Sequence, residues 1–431
     1  MPQYKKNKTL MHSIFLHLHP RQVKQSATRF NRTFGLGGMA VLLIVCQLIT
    51  GVLLRFYYSP FPAEAYNSVL FIKHNVLFGQ FVRNMHYWSG VFLLLLAFLH
   101  FLRVFLTGAF RDKRKTNWIF GLMLLLLIVL LNFTGYLLPW DQLAYWAITV
   151  STNIIGYLPI FGQSLRTIIL GGNELNADTL RAFFTFHTAL LPLLLLVLVV
   201  YHFWQVRKAG GILLPDGEKE SEMVPVMPNL VFKEFIVALA LIAVLFLFSA
   251  LFNAPLLQKA NPTFSLNPTK APWYFAGVQE LLMHFHPFFA AFIIPTSVMV
   301  FLAWIPFLKY DNPPTGIWFI SEKGRKSSEA TAKFASIITL FGILFNEYLL
   351  NFELLLSPIP AFISNGILPT LIVVGFMAGY YKYYLKKFKL SKEELVQAVF
   401  VFIIAAFIVL TLVGVFFRGK DMALTFPWNA W

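Results

Sequence analysis

Nine runs of predominantly apolar residues follow one another along this chain, near residues 35–56, 79–106, 118–138, 181–206, 231–252, 288–308, 333–352, 366–385 and 396–417. A bilayer core is about 30 Å thick and a helix rises roughly 1.5 Å per residue, so each run is long enough to cross it. No water reaches the backbone there, and only a structure that satisfies its own N–H and C=O groups can span. Helices do so within a single run. The fold expected is therefore all-α, a polytopic membrane bundle of about nine transmembrane helices. Composition agrees, with 58% hydrophobic and only 13% charged residues.

The net charge of +16 raises nucleic acid as a partner, but its distribution excludes that reading in favour of a membrane. Nine spans put 26 of the 35 Lys and Arg on one side and nine on the other when the N-terminus lies with the majority. The positive-inside rule makes that side cytoplasmic and puts the C-terminus outside. The basic N-terminus lacks the compact apolar stretch and small-residue cleavage site of a signal peptide and reads as a surface segment over 1–33. The single cysteine, Cys46, rules out a disulfide framework or a CxxCH attachment motif. Any metal must be held by histidine or carboxylate, and any iron–sulfur centre must belong to a partner.

Two spans carry histidine pairs, His86 and His100 in the second and His187 and His202 in the fourth. Fourteen residues is about 3.9 helical turns, so the first pair shares a face about 21 Å apart; fifteen is about 4.2, a mismatch that a kink at Pro192 is expected to absorb. The two spans run in the same direction. His86 is thus level with His187 near the outer side, and His100 with His202 near the inner. One imidazole from each of two facing helices, at two depths, suits bis-histidine haem ligation. Four unrelated buried histidines, or a proton relay, are the alternatives. Gly37 and Gly51 in the first span, and Gly121 and Gly135 in the third, repeat the fourteen-residue spacing, letting backbone approach a haem edge. Two stacked haems inside a four-helix bundle formed by the first four spans are expected; ordinary small-residue packing also uses such glycines.

The segments RNMHYW, LHFLRVFLTGAFR, NFTGYLLPWDQLAYWA, RAFFTFHTALLPLLL and ANPTFSLNPTKAPWYFAGVQELL closely resemble cytochrome b, the quinol-oxidising membrane subunit of cytochrome bc and b6f complexes. The resemblance covers about residues 30–310 and leans to the b6 branch, fused here to a half resembling subunit IV. It implies a b6-like haem module over 34–210, a cytoplasmic loop over 211–230, a subunit IV-like module over 231–352, and two further spans with an outer tail over 353–431. It implies two non-covalent b haems, His86 and His187 ligating the outer and His100 and His202 the inner, with Arg83 and Arg103 neutralising propionates. Tyr136, Pro139, Trp140 and Asp141, with Pro272, Trp273, Tyr274 and Glu280, would line an outer quinol site. An inner quinone site, a Rieske-type iron–sulfur protein, a cytochrome c-type subunit, bound lipid and a homodimer complete what is implied.

Two departures stand out. The family's Pro-Glu-Trp-Tyr motif becomes Ala271-Pro272-Trp273-Tyr274, and proline cannot take the quinol proton. Glu280 is the expected replacement as catalytic acceptor, with His284, His286 and Asp141 behind it. The change resembles chains that work with menaquinol. Gly35 stands where b6-type chains have a cysteine bound to a third haem, so no covalently attached haem is expected. The rivals are a haem-b anchor of a dehydrogenase, which would lack the outer loop, and a colourless proton-relay transporter.

Overall fold

The computed structural model describes residues 21–311, 314–349, 355–356 and 358–429. Residues 1–20 of the expected surface segment lie outside this set. The remainder is pinned to the 211–230 loop: Gln22–Lys24 pairs antiparallel with Met223–Pro225. Lys233 Nζ closes the contact on Thr28 O at 3.0 Å.

Among the described residues nine helices are long and apolar enough to cross a membrane. In chain order the principal helices are α1 (Leu36–Arg55), α2 (Ala65–Asn75), α3 (Gly79–Leu106), α4 (Lys115–Tyr136) and α5 (Gln142–Ile155). Then come α6 (Gly162–Leu170), α7 (Ala177–Lys208), α8 (Val231–Leu251) and α9 (Trp273–His284). Last are α10 (Phe289–Phe307), α11 (Glu322–Tyr348), α12 (Phe362–Phe388) and α13 (Lys392–Phe416). The spans are α1, α3, α4, α7, α8 and α10 to α13, so the polytopic helical bundle expected from the apolar runs is the one observed. α2, α5, α6 and α9 are the shorter helices of the loops.

The seventh span begins eleven residues before its apolar run. Ser321 caps it, its hydroxyl accepting from Gly324 N at 2.9 Å. The first turns are polar but bury Gly324, Ser327, Ser328 and Thr331. Counting apolar residues misses a helix whose buried face is made of small polar ones.

Pro192, Pro295 and Pro369 each stand two residues after a π-turn, at Phe186–Leu190, Phe289–Ile293 and Phe362–Ile367. Proline lacks an N–H and its ring crowds the carbonyl four residues back, and widening that turn relieves both. In α7 the π-turn, closed by Leu191 N–H on Phe186 O, holds His187 and offsets the extra residue between His187 and His202. The expected kink at Pro192 is thus a one-residue insertion, and the fifteen-residue spacing falls back into step with the fourteen of α3.

The core between the two histidine levels is built from Leu43 and Ile44 of α1, Leu93 and Leu94 of α3, Leu124 and Leu127 of α4, Leu195 and Leu198 of α7, and Leu245 of α8. Since α8 follows the 211–230 loop, that loop divides the chain without dividing its packing. A second core joins Phe101, Phe105 and Trp118 to Leu302 and Ile305 of α10 and Phe400 of α13. A third, on the side of His86 and His187, packs Leu137 and Trp140 with Tyr145, Ile148, Leu180 and Phe183.

Candidate metal centres and outer site

α3 and α7 bring the four histidines together as two pairs. The ring centres of His86 and His187 lie 6.1 Å apart at 81°, and those of His100 and His202 6.4 Å apart at 77°. A metal bound about 2 Å from one nitrogen of each of two opposed imidazoles separates their centres by roughly 6 Å. No group of three or more His, Cys, Asp or Glu suited to a metal exists among the described residues. Two imidazoles are too few to saturate a metal, so its other donors must come from outside the protein, as a macrocycle provides.

The glycines test that fit. A Cβ built on Gly51 would stand 3.2 Å from His86 Cε1, on Gly135 2.5 Å from His187 Cε1, on Gly37 3.6 Å from His100 Cε1, and on Gly121 3.7 Å from His202 Cε1. Each glycine therefore makes room for its own histidine ring.

Hydrogen bonds set the outer tautomers. Thr50 Oγ1 donates to Cys46 O at 2.6 Å, so toward His86 Nδ1, 2.9 Å away, it acts as acceptor. His187 Nδ1 donates to Leu131 O at 3.0 Å, with Thr134 Oγ1 at 3.3 Å. Both Nδ1 atoms thus carry the proton, leaving each Nε2 lone pair for a metal. The inner pair differs: His100 Nδ1 and His202 Nδ1 are buried with no hydrogen bond among the described residues, although the Asn117 backbone lies close to the His202 ring. Residues 50 and 134 went unnoticed in the sequence, yet a signal exists. Both outer glycines are preceded by threonine and neither inner glycine is.

Of the two arginines expected to neutralise propionates, Arg103 lies within electrostatic reach of His100, whereas Arg83 is engaged by the 254–255 carbonyls. Buried Arg103 donates from Nε to Arg32 O at 3.0 Å and faces the like charges of Arg32 and Arg114, a concentration of positive charge suited to an anionic group near His100. Arg83 donates to Ala254 O and Pro255 O at 2.9 and 2.6 Å and feels Asp141.

The outer-site residues gather from two segments. α4 ends at Tyr136, and half-buried Pro139 leads to Trp140, whose φ is +50°. Asp141 caps α5, with Ala144 N on Oδ1 and Leu257 N on Oδ2, each at 2.9 Å. Burial raises its carboxyl above the ordinary range against the pull of those bonds and of Arg83. From the second segment, Pro272 caps α9, Trp273 and Tyr274 open it, and Phe275 meets Phe133 at 5.8 Å. Burial pushes the Tyr274 hydroxyl up. Tyr136 lies within electrostatic reach of Asp141, Tyr274 and Tyr87, and Tyr87 is a member the sequence did not single out.

Glu280 is not part of this gathering. It is fully buried, with Arg418 Nε 3.0 Å from Oε2, Arg418 Nη2 2.6 Å from Oε1, and His284 Nε2 3.1 Å from Oε1. Burial pushes its carboxyl up, but the His284 and Arg418 hydrogen bonds outweigh that and hold it below the usual range. The expected proton acceptor is thus an enclosed carboxylate with both oxygens engaged. His284 Nδ1 meets Asn346 Oδ1 at 2.7 Å, and His286 packs against Tyr157 and Phe362. Gly35 caps α1 at φ +66° beside Val237, and Cys46 is half-buried within α1.

The family model described as Cytochrome b/b6/petB matches residues 21–210. Cytochrome b6 of Heliomicrobium gestii is 42% identical over 180 residues, covering 42% of this chain and 84% of that protein. Cytochrome b6 of Acaryochloris marina is 38% identical over 180 residues, again covering 84% of its length. A solved chain titled "Hyperthermophilic respiratory Complex III" aligns with a TM-score of 0.63 and 25% identity, over 89% of this chain and 91% of its own. The paired histidines, the glycine against each ring and these likenesses agree, and the chain belongs to the cytochrome b/b6 family.

Proposed function

We propose that this multi-pass membrane protein is the di-haem cytochrome b subunit of a bacterial quinol-oxidising bc-type complex. His86 and His187 would hold one b haem and His100 and His202 the other, Arg83 and Arg103 flanking them, with the glycines at 37, 51, 121 and 135 admitting the rings. Bound haem supplies one-electron transfer. The chain fixes the two ligand levels about 21 Å apart along α3 and sheathes the space between them in leucine and isoleucine, excluding water.

Quinol, with menaquinol favoured by the altered proline motif, would enter between Tyr136–Asp141 and Pro272–Tyr274. Its protons leave on the outer side and one of its electrons goes to a Rieske-type partner and onward to a cytochrome c-type subunit. The other crosses the bilayer to an inner quinone, so turnover builds a proton gradient. Asp141 and Tyr274 are the titratable groups placed to hold a proton at the outer site. For Glu280 to accept one, the Arg418 fork must open first. The N-terminus is cytoplasmic and the C-terminus periplasmic in this reading, with lipid around the spans and a second copy of the chain in the complex.

The observation that carries the proposal is the matched pair of imidazole separations, each ring with its own glycine. The test is a redox-titrated visible spectrum with acid-acetone haem extraction. Two extractable b haems of separate potential, one lost on His86→Leu and the other on His100→Leu, are expected. A colourless, folded protein made with haem available refutes the proposal.

A further inference from the structure

We propose that Arg418 is a positioning residue of the outer quinol site, clamping α9 through Glu280 to the end of the last span; this rests on the quinol-oxidising reading above. Arg418 is fully buried just beyond α13. Its guanidinium forks onto Glu280, while Nη1 lies 3.1 Å from both carboxylate oxygens of Glu347, at the end of α11, and 2.8 Å from Met422 O. One side chain thus ties three pieces of chain together, and a bidentate guanidinium fixes direction as well as distance.

The neighbouring contacts run the same way. Before the proline motif, Asn267 exchanges hydrogen bonds with Asp421 at 2.5 and 2.6 Å, and Lys270 Nζ donates to Val415 O at 3.1 Å. Along α9, a Cβ on Gly277 would stand 2.7 Å from Phe407 and Thr411, and one on Gly414 2.8 Å from Ala276 O. Glu280 shares the Gly277 and His284 face, so the segment carrying Trp273 and Tyr274 is held from both sides by residues 407–421. The last span, given no chemistry by the sequence, is the wall against which the outer site is set.

The test uses the purified complex, with menadiol as the quinol probe and haem spectra as the check on folding. Arg418→Lys keeps the charge and loses the fork. Its haem spectra should match wild type while KM for menadiol rises about tenfold, since small misplacements at a reacting centre cost up to about 10²-fold. The double variant Glu280→Met with Arg418→Met replaces the buried pair by apolar volume, which proteins tolerate, and should show the same rise in KM. Glu280→Gln keeps one acceptor but breaks the two-oxygen fork, so it too should raise KM, with an unchanged pH–rate profile. A wild-type KM in Arg418→Lys overturns the proposal, as does a collapse of kcat with a lost acidic limb in Glu280→Gln alone, which would make Glu280 the proton acceptor. A wild-type complex whose haems menadiol does not reduce overturns the quinol reading and this proposal together; turnover with insensitive Arg418 variants overturns this proposal alone.

Discussion

Adding one methyl group at each of the four glycines is a graded test of how tightly the histidine rings are seated. At Gly135 the new Cβ would stand 2.5 Å from His187 Cε1, 3.0 Å from Nδ1 and 3.1 Å from Nε2. Carbon atoms rest at about 3.5–4.0 Å, so the ring must retreat by roughly 1 Å. It has little freedom to do so, because Nδ1 is bonded to Leu131 O on the same helix that carries Gly135. Metal–imidazole distances hold to within about 0.2 Å, and overpacking costs about 1–3 kcal/mol. Gly135→Ala should therefore cost the outer haem its ligation, halving extractable haem per chain. Gly51→Ala, at 3.2 Å from His86 Cε1, should retain it with a shifted potential. Gly37→Ala and Gly121→Ala, at 3.6 and 3.7 Å, already sit at ordinary contact distance and should resemble wild type. Haem content and redox-titrated spectra of the four variants measure the order directly. Loss of haem from Gly121→Ala with both haems kept in Gly135→Ala would refute the assignment of each glycine to its ring.

Thr50→Val removes the acceptor for His86 Nδ1–H and should raise the outer midpoint potential while leaving the inner one unmoved, because a hydrogen-bonded imidazole is the more basic ligand; potentiometric titration reads both. Glu280, held below its ordinary value of 4.5, contributes stability that is present above that pH and is lost as acid protonates the carboxylate through its lower folded value. The melting temperature of the complex should fall on acidification below 4.5, and Glu280→Gln should flatten that fall. Gly277→Val would drive its side chain into Phe407 and Thr411, so it should destabilise α9 against α13 by about 1–3 kcal/mol, seen as a lower thermal midpoint with both haems present at low temperature.

Nine spans and four histidines were legible in the chain because each has a one-dimensional signature, an apolar run or a repeat in step with the helix. The start of α11 was not, since Ser327, Ser328 and Thr331 bury hydroxyls in a helix–helix contact and do not register as apolar. Thr50 and Thr134 were hidden because a threonine before a glycine is ordinary, and its meaning comes from a ring on another helix. Arg418 and Glu280 are 138 residues apart, and nothing local to either announces the other. That distance is why Glu280 read as an available base: close to it in sequence stands His284, and no lysine or arginine to occupy both oxygens.

The π-turn at Phe186 changes what a motif count measures. Between His187 and His202 the number of residues and the geometric interval are no longer the same quantity, because the helix contains a one-place vernier. A helix with fourteen residues between two such histidines needs no π-turn, and one with fifteen needs it; the two lengths are interchangeable solutions to a single spacing between rings. Deleting one residue from the π-turn of this chain, together with Pro192→Ala, converts one solution into the other. Searches that demand a fixed number of residues would place the two in different classes, although the interval between the two rings would be the same in both.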